Sequence, residues 1–161
     1  LEREFLAVWS LSYADLDLVN GYRHAMRIGL AAQLAHFRHF GYFPVQLKDV
    51  PPSALDYLAQ QLGEDLAHVP NYDIASDTAR RHRLEILRFL GVSRANDRHR
   101  AKLREALASQ VSTLGPSTED LIQCGYEWAL GQSVFIPSRK IMERLVRSAQ
   151  HSFQEGLCRK L

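Results

Sequence analysis

Residues 22–40 read YRHAMRIGLAAQLAHFRHF. At about 100° per residue, Met26, Leu30, Leu34 and Phe37 line one side of a helix, while Ala25, Ile28, Ala32 and Ala35 cover the other. A surface helix keeps one face polar, so a helix that is apolar round most of its circumference belongs at the centre of an assembly. The fold therefore reads as all-α, a compact multi-helix bundle with this segment inside it.

Helix punctuation surrounds the central segment. Ser12 followed by Asp15 has the form of an N-cap with an acidic third position, and Pro51-Pro52 supplies a first-turn proline. Gly63 and Gly91 stand where helices end, and Ser76, Asn96, Ser117 and Ser138 offer further starts. These signals predict helices over 1–9, 13–19, 22–40, 53–62, 77–90, 97–111, 118–130 and 139–156. Strand signals are almost absent, and only 132–137 looks extended. In 77–90, Ala79, Ile86, Phe89 and Leu90 oppose Arg81 and Arg88; in 97–111, Leu103 and Leu107 oppose Arg98, Lys102 and Ser109. The short turn 91–95 joins these two basic-faced helices into a helix-turn-helix-like pair. Turn formers at 67–76 predict a division into an N-terminal helical subdomain, 1–70, and a basic helical subdomain, 71–161.

Charge is distributed unevenly. The 161 residues, 46% apolar and 24% charged, suit a globular chain with a real core rather than a disordered one, and the net charge is +2. Residues 1–75 carry five basic side chains against nine acidic ones, a net −4. Residues 76–105 carry nine against four, a net +5. The nine are Arg80, Arg81, Arg83, Arg88, Arg94, Arg98, Arg100, Lys102 and Arg104. Cations concentrated on helices suit a polyanion, since phosphate contacts give affinity and a few arginines reach base edges. An ordinary solvated face, partly neutralised by Glu85 and Glu105, is the alternative. Arg23, Arg27 and Arg38 share one narrow arc of the central helix, placed either to contact DNA or to pair with Asp15, Asp17 or Asp56.

Enzyme chemistry finds no foothold. Asp15 and Asp17, two apart, diverge on a helix; no Ser-His-Asp order, phosphate-cradling glycine loop or nucleophile elbow is present. His36 and His39 lack further ligands at metal-binding spacing, and Cys124 and Cys158 are isolated from each other. The reading is of no catalytic residue, no metal and no cofactor. Trp9, Trp128, Phe89 and Tyr126 sit beside other apolar residues and read as core rather than as base-stacking groups. With no apolar run of roughly 20 residues and no basic-then-apolar start, a cytoplasmic location is expected, associated with the nucleoid when DNA is bound. The leucine start and the helical end suggest a fragment of a longer protein.

The order of these pieces resembles the N-terminal region of the Tn-three family of replicative transposases. The resemblance is carried by 27–34 (RIGLAAQL), 37–44 (FRHFGYFP), Val50-Pro51, 57–63 (YLAQQLG), 81–91 (RHRLEILRFLG), Ile136-Pro137 and 142–146 (MERLV), in that order through nearly the whole chain. The stretch 20–23 (NGYR) is less basic than that family's run before the long helix. The resemblance implies a sequence-specific DNA-binding fragment that recognises transposon terminal inverted repeats. Its implied partners are double-stranded DNA, the rest of the transposase chain and a second transposase subunit. Catalysis in that family belongs to a distant C-terminal domain with acidic residues and magnesium, outside this chain. A helical protein-interaction module mediating transposase assembly is the competing function; it shares the amphipathic helices but predicts no steep salt dependence.

Overall fold

Side-chain caps decide where most of the helices begin. In a computed structural model of the chain, which describes residues 2–114 and 117–160, the helices are α1 Glu2–Trp9, α2 Tyr13–Asn20, α3 His24–Phe40, α4 Pro52–Leu62, α5 Asp77–Leu90, α6 Asp97–Leu114, α7 Thr118–Gly131 and α8 Arg139–Lys160. Ser12 and Asp15 form a reciprocal capping box at α2, and Ser76, Asn96, Ser117 and Ser138 each accept a backbone N–H from the first turn of the next helix. Gly63 and Gly91 end α4 and α5 with φ of 65° and 68°, a left-handed conformation that other residues reach only with strain. The all-α expectation holds, with short 3-10 helices at Leu47–Asp49 and Leu66–Asn71 as additions.

The chain forms two compact units, Leu1–Gly91 and Val92–Leu161. In the first, every residue of α3 from Ile28 to Phe37 is buried, and α1, α2, α4 and α5 all pack on it. Side chains such as Leu30, Leu34, Leu58 and Ile86 are fully enclosed, each worth about 1.5–3 kcal/mol of burial. Arg38 donates to both carboxylate oxygens of the buried Asp15 at 2.8 Å, tying α3 to the capped start of α2.

The second unit packs α6, α7 and α8 around Leu103, Leu107, Leu121, Tyr126, Met142 and Val146. The expected turn 91–95 contains β1, Ser93–Arg94, which pairs in parallel with β2, Val134–Phe135. Ser93 donates to the Ser133 carbonyl at 3.1 Å and Ala95 to that of Phe135 at 3.0 Å, so the extended segment foreseen at 132–137 finds its partner upstream of α6.

Three expectations are revised by this architecture. The division falls after Gly91 rather than after residue 70, because the 3-10 helix Leu66–Asn71 packs on α3 and α4, and the Tyr72 ring lies on Gly29 of α3. The helices of the helix-turn-helix-like pair therefore belong to different units: α5 packs on α3, and α6 packs on α7 and α8. Phe89, read as core, is 37% exposed at the end of α5, whereas Trp9 and Tyr126 are buried.

Candidate nucleic-acid interface

The first unit uses several of its arginines internally. Gln33, buried in the middle of α3, donates through Nε2 to the Tyr72 hydroxyl at 2.8 Å, and that hydroxyl lies 2.7 Å from Nδ1 of the buried His82. Because the Gln33 amide nitrogen only donates, His82 Nδ1 is the acceptor for the phenol's own proton. Arg83 completes the set by donating from Nη1 to Gln33 Oε1 at 3.1 Å and to the Ile74 carbonyl at 2.9 Å. Burial pushes the Tyr72 phenol up to about 12, and it lowers His82 and Arg83 from their ordinary values. This network joins α3, α5 and residues 72–74, and it leaves Arg83 only partly exposed.

Arg27 is likewise engaged. Its guanidinium donates to the Tyr22 and Asn20 carbonyls at 2.9 and 3.0 Å and to Glu64 at 3.0 Å, while His24 meets the same carboxylate oxygen at 2.6 Å. The His24 hydrogen bond holds the Glu64 carboxyl below its usual range. Neither acid at Asp17 nor at Asp56 takes part; the partners of the α3 arginines are Asp15, for Arg38, and Glu64, for Arg27.

The other cations of this unit face outward. Arg23, Arg80 and Arg81 are exposed and make no ion pair among the described residues, and Arg88 bonds Glu85 one turn away at 2.8 Å. Tyr22, Arg81, His82, Leu84, Glu85 and Arg88 line a shallow cleft on α5, with Leu84 56% exposed beside the arginines.

In the second unit the balance is different. Val92–Leu161 holds eleven Lys and Arg against seven Asp and Glu, a net +4, whereas Leu1–Gly91 is at −2 with nine against eleven. Four of the seven acids are ion-paired among the described residues: Asp97 pairs with Arg100 at 3.5 Å, Glu119 and Glu143 both hold Arg139, and Glu155 meets His151. Arg94 on β1 and Arg98, Lys102 and Arg104 on α6 are exposed with no carboxylate partner among the described residues. The start of α6 orients them. Asn96 Oδ1 accepts the His99 N–H at 2.9 Å while His99 Nδ1 accepts the Asn96 N–H at 3.1 Å, and the burial of Leu103 and Leu107 then turns Arg98 and Lys102 outward. Arg100 is rotated toward the packed side and is only partly exposed.

Of the twelve arginines and lysines singled out in the sequence, Arg23, Arg80, Arg81, Arg94, Arg98, Lys102 and Arg104 thus stand at the surface without an ion pair among the described residues, Arg88 and Arg100 are ion-paired, and Arg27, Arg38 and Arg83 brace the first unit. Further cations without an ion pair among the described residues, Lys140, Arg144 and Arg147, lie on α8; their signal in the sequence was the i, i+4, i+7 spacing inside a predicted helix.

No group of three or more His, Cys, Asp or Glu side chains among the described residues is arranged to hold a metal. His36 is buried with Nδ1 bonded to the Tyr42 carbonyl at 2.8 Å. Cys124 is a free thiol against the second core, and the side chain of Cys158 lies outside the described residues. No described helix is long and apolar enough to cross a membrane.

These features define an all-α chain of two helical units, with exposed cations on both and a net positive charge on the second. The chain belongs to the DUF4158 family, a domain of unknown function whose model matches residues 1–149. It is also similar to the transposase for transposon Tn1546 from Enterococcus faecium, at 26% identity over 153 residues. That match covers 92% of this chain and 15% of the relative's length, which marks the chain as related to one region of a transposase.

Proposed function

We propose that this chain is a sequence-specific DNA-binding region of a replicative transposase of the Tn-three type, engaging the terminal inverted repeats of a transposon while the catalytic residues lie elsewhere in the parent protein. The observation that carries the reading is the set of exposed cations in the second unit, Arg94, Arg98, Lys102 and Arg104, left without carboxylate partners. Unpaired surface arginines repel one another and gain from a polyanion that releases its counterions on binding. The likeness to a transposase supports the same polyanion being DNA. On this reading Arg98 and Lys102, one turn apart on the outward face of α6, reach base edges, and Arg81 and Arg88 of α5 hold phosphates.

Titrating the chain with a transposon-end duplex and with a scrambled duplex of equal length, over a range of salt, tests the proposal. Tighter binding to the end sequence and a steep fall of affinity with salt are expected. Arg98→Ala is expected to cost about 1–3 kcal/mol on the end sequence and much less on the scrambled one, while Arg81→Ala weakens both alike. Absence of binding to any duplex at low salt refutes the DNA role. Equal losses for Arg98→Ala on both duplexes leave α6 a positioning helix only.

A further inference from the structure

The described part of α8 presents a second cationic surface, apart from the α6 residues considered above. Lys140, Arg144 and Arg147 recur at i, i+4 and i+7, which places them within a narrow arc of the helix. Met142, Leu145, Val146 and Ala149 occupy the opposite side and are buried in the core of the second unit, so the basic row is the outermost line of the helix. All three side chains are exposed, and none has an ion-pair partner among the described residues. Glu143, the acid beside the row, is turned to Arg139 at 3.3 Å, and Arg139 is itself held by Glu119 at 2.9 Å. The hydrogen bonds to Glu119 raise the Arg139 guanidinium further above its ordinary value and keep Glu119 turned to it. Glu143 and Glu119 are therefore both committed to Arg139, which is outside the row.

We infer that Lys140, Arg144 and Arg147 form a straight track that docks on the sugar–phosphate backbone of duplex DNA without regard to its sequence. The inference rests on the DNA-binding reading and adds a surface to it. Along the helix axis the row spans about 10 Å at 1.5 Å per residue. Successive phosphates of one strand lie farther apart than the roughly 3.4 Å rise along the duplex axis, so three long cationic side chains fanning out from a rigid helix reach about two to three of them. Arginine is suited to this because its fork of donors matches a phosphate. An anionic membrane surface is the poorer partner, since helices that lie on bilayers insert an apolar face. The apolar face of α8 is already buried against α6 and α7.

The test is fluorescence anisotropy of end-sequence and scrambled duplexes against the 161-residue chain and its Lys140→Ala/Arg144→Ala/Arg147→Ala variant, each at several salt concentrations. The variant is expected to lose affinity equally on both duplexes and to show a log–log salt slope shallower by about 2–3, at 0.9 per phosphate contact. A variant that keeps charge, Arg144→Lys/Arg147→Lys, is expected to keep most of that slope. The Trp128 melting transition, from a residue packed against the second core, reports whether each variant is folded. An unchanged slope in a folded triple variant overturns the track while leaving the DNA-binding reading intact. Failure of the unsubstituted chain to bind any duplex overturns both. A loss confined to the end sequence overturns the track as well, because it assigns α8 to base reading.

Discussion

The two units differ in how many arginines the fold itself consumes. In Leu1–Gly91, Arg27, Arg38 and Arg83 are drawn into hydrogen bonds with Glu64, Asp15, Gln33 and backbone carbonyls, and they hold the central helix to its neighbours. In Val92–Leu161 the interior is apolar, and most arginines stay outside. The difference follows from what each core has to satisfy. Enclosing the central helix on all sides buries Gln33 of α3 and Asp15 of α2, and each of these needs a partner. The helices of the second unit bury one face apiece, so their polar residues remain in water and stay available for a ligand.

The largest expected effect breaks the first interior directly. A Cβ on Gly29 would stand 2.3 Å from the Tyr72 ring, which is pinned by Gln33 and His82 and has little room to shift. Gly29→Ala is expected to destabilise the first unit by about 3 kcal/mol. Trp9 lies in the first unit and Trp128 in the second, so urea unfolding followed in a Trp128→Phe background isolates the effect. An unchanged midpoint would show that the ring does not rest on α3.

Arg83→Ala comes next. It leaves Gln33 Oε1 and the Ile74 carbonyl without their donor, at a cost of about 1–3 kcal/mol in stability. DNA affinity measured well below the melting transition should stay close to that of the unsubstituted chain. A large loss of affinity with unchanged stability would return Arg83 to the candidate interface.

The matching substitution in the second unit is expected to be milder. At Gly125 an added Cβ meets the Met142 sulfur at 2.5 Å, and a thioether on three rotatable bonds moves aside more readily than a bonded ring. Gly125→Ala should cost about 1 kcal/mol, read from Trp128 fluorescence in a Trp9→Phe background. Equal costs at Gly29 and Gly125 would erase the contrast between a pinned interior and an adaptable one.

Acid provides the smallest probe. Burial lowers the imidazoles of His36 and His82 from 6.5, so the folded first unit binds fewer protons than its unfolded chain. Stability tied to these groups is full above about pH 6.5 and declines as pH falls through that value toward the folded pKa values, below which the loss stops growing. Glu64, held low by His24, adds a loss of the same sign at more acidic pH, below its ordinary 4.5. The Trp9-reported urea midpoint is expected to drop between about pH 7.5 and about pH 5.5. In His82→Gln, whose amide oxygen accepts the Tyr72 proton without titrating, the drop should shrink; an undiminished drop would remove His82 from the account.

The helices were legible in the sequence because their signals are local. Ser12, Ser76, Asn96, Ser117 and Ser138 cap where their spacing predicts, and Gly63 and Gly91 terminate where a left-handed residue is needed. The central role of 24–40 was readable from its nearly continuous apolar circumference. What misled was the link between composition and boundaries. Pro70 and its neighbours look like a linker, yet Tyr72 fastens that stretch to α3 through Gly29, a contact across forty-three residues that no local pattern announces.

The sequence by itself determined the helix class, the limits of most helices and the surplus of positive charge after residue 75, since caps, periodicity and charge are properties of neighbours along the chain. Only the tertiary structure decided where the units divide and which cations are free. An arginine such as Arg83 differs from Arg81 in sequence by two positions and in fate by what packs against it: one turns toward Gln33 and the Ile74 carbonyl, the other toward solvent. Burial creates unsatisfied polar groups at particular points in space, and the cations that reach those points are consumed by the fold while the remainder stay outside to meet a partner.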